Sequence, residues 1–138
     1  IDVLNLLNVC PRPQDCEAYH AAVRQVILEL ADEGSVVILG RAGQVILRGR
    51  PDTLHVRLVA PPEVRAGRLA AAQAISQAAA LEQIKASDRS RKNYLKKFYV
   101  ADWNDLALYD LVINTAHFDP AQTAAVIQSA VLARLQTA

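Results

Sequence analysis

A β-branched run that stops on glycine restricts the fold of this chain more than any other stretch. Ser35-Val36-Val37-Ile38-Leu39 reads as a buried strand and ends at once in Gly40-Arg41-Ala42-Gly43. In open α/β sheets, ligands bind at the carboxyl ends of parallel strands, so the run places a fixed cation, Arg41, where a ligand would sit. A guanidinium presents a planar fork of donors, which makes phosphate the first ligand to consider.

The neighbouring segments supply the rest of an α/β pattern. Residues 14–33 carry apolar side chains at helical spacing (Ala18, Ala22, Val26, Leu30) behind Pro11 and Pro13, and Gly34 stands at the expected stop. Val45-Ile46-Leu47 reads as a short extended piece, Gly49-Arg50-Pro51-Asp52 as a turn, and Leu54–Val59 as a second strand. Pro61-Pro62-Glu63 then starts a helix, with proline in the first turn and a carboxylate favourable to the helix dipole, continuing to about Ile75. Ser76 is a weak cap for a long helix over about 77–98. Asp110–Thr115 is a third strand, and Pro120 opens a last helix that runs to about Leu135. Strands separated by helices imply a parallel sheet with right-handed crossovers. One domain is expected over 1–138, with 1–13 as a lead-in that shows no defined element.

Composition narrows the function classes. At 138 residues the chain fits one domain with a useful core. A net charge of +1 gives no global attraction to nucleic acid or membranes, so an anion site has to arise from local clustering. Apolar runs fall well short of the roughly 20 residues that span a bilayer, and no signal or transit segment is visible, which points to the cytoplasm. Cys10 and Cys16 lack partners for a zinc site and read as two reduced thiols. The sequence has no methionine; it is expected to be a trimmed piece of something longer.

Three clusters carry chemistry. In Gly40-Arg41-Ala42-Gly43 the glycines let backbone approach a ligand, while Arg41 offers a fork to a phosphate or a base edge. The competing reading is a tight turn whose arginine pairs with a carboxylate. Arg65 and Arg68, three apart on the helix after the second strand, share a face and could clamp a polyphosphate; a solvated helix face is the commoner reason for such a pair. Lys85–Tyr99 concentrates positive charge, and Asp88 and Arg91 share a helical face there. A carboxylate for sugar hydroxyls beside an arginine for phosphate makes a nucleotide grip. Ile84, Tyr94, Leu95 and Phe98 form the apolar stripe of this helix, so its aromatics read as core, and RNA binding is not expected.

These pieces occur in a recognisable order: Gly40-Arg41, then Leu54 through Arg65-Ala-Gly-Arg68, Ile84-x-x-x-Asp88-x-x-Arg91-x-x-Tyr94, Asp102-Trp103, and Tyr109-Asp-Leu-Val-Ile-Asn-Thr115. From about residue 20 to its end, the chain resembles the cytidylate-kinase-like family of P-loop nucleoside monophosphate kinases. The resemblance implies a parallel-sheet P-loop NTPase fold and phosphoryl transfer from ATP, with magnesium, to a nucleoside monophosphate. It implies that Arg41 meets the monophosphate, that Asp88 and Arg91 contact the substrate ribose and phosphate, and that Arg65 and Arg68 face the ATP phosphates. It assigns no certain catalytic residue and no protein metal ligand.

The chain also departs from the family pattern. It contains no Gly-x-x-x-x-Gly-Lys-Ser/Thr, the loop that cradles ATP phosphates. Ala42 stands where the family has an aspartate, which removes a candidate acceptor for the cytosine amino group. Ile84 or Ser87, depending on register, stands at another lid arginine. Two functions follow as expectations. One is the carboxyl-terminal portion of a nucleoside monophosphate kinase, truncated before the phosphate loop and inactive as given. The other is a non-catalytic domain of that descent which binds a nucleotide or a partner. A sheet lacking its first strand would expose an edge, so a homodimer is also expected.

Overall fold

The computed structural model describes the backbone of residues 13–135 and the side chains of 16–134. The expectations for residues 1–12, Cys10 included, lie outside the described residues. In chain order the elements are α1 (Pro13–Glu33), α2 (Gly43–Ile46), β1 (Val56–Val59), α3 (Pro62–Gln73), α4 (Gln77–Tyr99), a 3₁₀ turn (Leu106–Leu108), β2 (Leu111–Asn114) and α5 (Pro120–Leu135). They divide into two compact units, one built from residues up to Thr53 and from Ser87–Leu108, the other from Leu54–Ala86 and from Tyr109 onward.

In the first unit, α1 ends where the sequence indicates. Gly34 takes φ +75° and its amide donates to the Leu30 carbonyl at 3.3 Å. A Cβ at Gly34 would meet no atom within 4 Å, so the requirement there is the left-handed backbone rather than space. The core of this unit gathers Ile27 of α1, Ala42, Ile46 and Leu47 in and beside α2, and Leu95 of α4. The expected turn at 49–52 is present, with Gly49 at φ +81°. There Arg50 donates from Nη2 to Asp52 at 2.7 Å and from Nη1 to Asp32 at 2.6 Å. The hydrogen bond from Arg50 holds the Asp52 carboxyl down at about 2, and the two carboxylates, Asp52 first, raise the guanidinium.

Two expectations are corrected in this unit. Residues 35–39 are not a strand: among the described residues the run joins no ladder, Ile38 packs against the core, and Val37 and Leu39 are 87% and 88% exposed. Strand propensity is realised only against a hydrogen-bonded neighbour, which the described residues do not supply. Residues 45–47 are not extended either. Val45 and Ile46 donate to the Ala42 carbonyl at 2.8 and 3.0 Å and Leu47 to Gly43 at 2.9 Å, a helical turn that buries Ile46 and Leu47. Burial of these side chains overrides the preference of Val45 and Ile46 for strands.

In the second unit, β1 and β2 pair in parallel, Val56 opposite Leu111 through Val59 opposite Asn114. A parallel pair cannot close through a tight turn, and here α3 and α4 lie between the strands in sequence. Helix α3 begins at the Pro61-Pro62 step with Glu63 in its first turn and closes on Ala74 at φ +54°. For α4, the Ser76 hydroxyl accepts from the Ala79 amide at 3.2 Å, as its position suggests. Ala66 of α3 and Ala80 and Ile84 of α4 form the buried cluster, with Leu69, Ala70, Ile75 and Leu81 against it. Helix α5 opens on a reciprocal cap: Gln122 N–H donates to Asp119 Oδ1 at 2.8 Å, and Asp119 N–H to Gln122 Oε1 at 3.0 Å. No described helix is long and apolar enough to cross a membrane.

Asp110 ties the start of β2 to its surroundings. Its Oδ2 accepts from the His55 amide at 2.7 Å and lies 3.1 Å from Arg134 Nη1 of α5. Burial works against ionisation, but the amide and the guanidinium outweigh it, and the carboxyl lies below its ordinary value. The contribution is therefore complete above about pH 4 and disappears as pH falls through the folded value. Asp110→Asn should cost about 1 kcal/mol at neutral pH and flatten the acid limb of a denaturant-stability profile. An acid limb identical to the parent's contradicts this role.

Candidate nucleotide site

The Gly40-Arg41-Ala42 turn is left-handed throughout, with φ of +71°, +56° and +60°. Glycine tolerates this region, whereas each non-glycine residue in it is held at some cost by its surroundings. The compensation is visible at Ala42, whose methyl is 5% exposed within the Ile27–Ile46–Leu47–Leu95 cluster. The Gly43 amide closes the turn on the Gly40 carbonyl at 3.1 Å. Ala42 is thus part of the core, and a carboxylate there would be buried among aliphatic side chains.

Arg41 is half-buried, and its Nη1 donates to the Tyr19 hydroxyl of α1 at 3.1 Å. The expected alternative, an arginine paired with a carboxylate, is not what the described contacts show. Tyr19 belongs to an aromatic assembly between α1 and α4. Its ring meets His20 edge-on at 5.4 Å, and His20 lies 3.8 Å from the Phe98 ring and 5.3 Å from that of Tyr94. Tyr94 Oη and His20 Nδ1 are 3.3 Å apart. Burial first, then the neighbouring Tyr99 hydroxyl, push the Tyr94 phenol up, so it stays protonated; which of Tyr94 Oη and Nδ1 donates follows from the His20 tautomer. Leu95 is a core side chain of α4 and Tyr94 packs against that core, as the apolar stripe suggests, whereas Phe98 is half-buried against the rings of Tyr94 and His20.

Asp88 and Arg91 are brought together on α4, Nη1 to Oδ1 at 3.5 Å, within the same unit as Arg41. Arg91 is half exposed and Asp88 less so. Both candidates for the lid-arginine position, Ile84 and Ser87, are buried. Arg65 and Arg68 lie on α3 in the other unit. Arg68 donates to the end of β2, from Nη2 to the Thr115 carbonyl at 2.6 Å and from Nη1 to its hydroxyl at 3.1 Å. Thr115 Oγ1 in turn donates to the Val59 carbonyl at 3.2 Å, so Arg68 marks the carboxyl ends of both strands. No group of three or more His, Cys, Asp or Glu among the described residues could hold a metal ion.

Sequence reasoning missed Tyr19 and His20. Adjacent aromatic rings on α1 are the local signal, and their partners lie 22 and 74 residues away. Burial, and secondarily the Lys97 ammonium, lower the His20 pKa from its ordinary 6.5. Because the folded imidazole is the less basic one, stability is retained above about pH 6.5 and lost as pH falls toward the folded value. The His20 ring should titrate below 6.5 by NMR, and Lys97→Gln should raise that midpoint without restoring it fully. A midpoint at or above 6.5 in the parent chain contradicts the assignment.

A model of the cytidylate kinase-like family matches residues 5–117. The chain is 33% identical over 111 residues to a cytidylate kinase of Methanopyrus kandleri, covering 75% of this chain and 58% of that protein. It is 38% identical over 105 residues to one of Pyrococcus horikoshii (75% and 53%) and 36% over 110 residues to one of Methanocaldococcus jannaschii (78% and 61%). The chain therefore spans a little over half the length of these relatives. A solved structure of an uncharacterized protein from Eubacterium ventriosum superposes with a TM-score of 0.75 at 20% identity, covering 92% of this chain and 70% of that one. That likeness concerns the fold alone, an α/β arrangement with a small parallel sheet. With a family match over most of its length, the chain belongs to the cytidylate kinase-like family.

Proposed function

We propose that this chain supplies the acceptor side of a nucleoside monophosphate kinase. Arg41, on its left-handed turn, is the observation that carries the reading. Its backbone is fixed, and among the described residues its guanidinium has one hydrogen bond and no carboxylate partner. Four further N–H groups are available for a phosphomonoester. Arg91 adds a second cation, and Asp88 an acceptor for sugar hydroxyls. By resemblance to the family, Arg65 and Arg68 would serve the phosphates of ATP, where magnesium would supply charge neutralisation. Phosphoryl transfer is mostly positioning and charge stabilisation, which is the chemistry arginines supply.

The sequence favours a second reading for the chain by itself. Without Gly-x-x-x-x-Gly-Lys-Ser/Thr, it binds a nucleotide rather than transferring phosphate, since this reaction depends on the donor being held. The base recognised is also open to change, because the position of the family's aspartate is filled by buried Ala42.

Calorimetry with CMP tests the site. Arg41→Ala and Arg91→Ala should each weaken binding roughly tenfold to a hundredfold, the loss of a charge-assisted hydrogen bond. Unchanged affinity in Arg41→Ala removes the residue from the site. In a coupled assay the 138-residue chain should show no ATP-dependent phosphorylation of CMP; robust turnover overturns the second reading.

A further inference from the structure

The Arg41 side chain projects from a fixed turn. Its Cα is set by three left-handed residues, by the Gly43–Gly40 hydrogen bond and by the burial of Ala42. Beyond Cβ, a free arginine samples many rotamers, and a ligand that binds it must restrict them. Here the restriction is already present: Nη1 is held at 3.1 Å by the hydroxyl of Tyr19, a residue 22 positions earlier. Tyr19 is restrained in turn, because its ring meets that of His20, which packs against the rings of Tyr94 and Phe98 on α4. The Tyr19 oxygen accepts only from Nη1 in this pair. The Nε–Nη2 edge of the guanidinium, which can grip two phosphate oxygens at once, makes no hydrogen bond among the described residues.

We propose that Tyr19 is a positioning residue for phosphate: it orients Arg41 before the ligand arrives, so that the Nε–Nη2 edge receives a phosphomonoester dianion. This rests on the reading that Arg41 binds the acceptor phosphate. Tyr19 acts through Arg41, and neither of them is required to complete the core. The aromatic assembly thereby links the helix that bears Asp88 and Arg91 to the orientation of Arg41.

Two measurements test this in the chain as it stands. In the ligand-free protein, ¹⁵N relaxation should show the Arg41 Nε–H more mobile in Tyr19→Phe than in the parent, with the Arg91 Nε–H unchanged. By calorimetry, Tyr19→Phe should weaken CMP about threefold to tenfold. It should add nothing in an Arg41→Ala background, and the thermal midpoint should stay at the parent value because the ring is kept. Tyr19→Gln, whose amide oxygen can accept from Nη1, should recover part of the lost affinity. If Arg41→Ala weakens CMP binding but Tyr19→Phe leaves both affinity and Nε mobility unchanged, the positioning role is wrong and the acceptor-site reading stands. If Tyr19→Phe loses affinity equally in the Arg41→Ala background, its role is structural and the proposal fails. If Arg41→Ala binds CMP like the parent, or the parent does not bind it, the acceptor-site reading fails first.

Discussion

The left-handed turn at Gly40-Arg41-Ala42 is the constraint on which the candidate site depends. Three consecutive residues at positive φ bring the chain round so that one side chain goes inward and the preceding one outward. The inward methyl of Ala42 joins the core that holds α1, α2 and the end of α4 in one unit. The outward guanidinium of Arg41 is left to a hydroxyl rather than a carboxylate. The same packing that offsets the strain of the turn thus also determines what Arg41 has available for a ligand. The same burial excludes a charged side chain at position 42, which would be uncompensated in that aliphatic cluster.

Local signals in the sequence reached far into this fold. Gly34 ends α1, the Pro61-Pro62 step starts α3, Ser76 caps α4 and Asp119-Pro120 opens α5, each through a hydrogen bond or a backbone preference confined to a few residues. The parallel pairing of 56–59 with 111–114 followed from the helices between them. What failed were readings that depend on distant neighbours. Residues 35–39 carry the composition of a strand, yet a strand also needs a partner. Residues 45–47 carry the same β-branched character and form a helical turn, because burying Ile46 and Leu47 decided the matter.

The candidate site shows the same division. The spacing of Asp88 and Arg91, one helical turn apart, made their pairing legible. Asp88 and Arg91 do meet, and Arg41 shares their unit. Arg68 is engaged by Thr115 at the strand ends, a contact across 47 residues that no spacing rule reveals. Tyr19 and His20 were illegible for the same reason. Their part becomes visible only when α1 and α4 are placed side by side.

In the proposed site the acceptor phosphate meets Arg41 and Arg91. The arginine Nε resonances, followed by ¹⁵N NMR while CMP is titrated into the chain, report on that contact. Saturable shifts are expected at Arg41 and Arg91, with Arg24 and Arg134 unmoved. Shifts confined to arginines elsewhere, or no shift at any arginine, would contradict it.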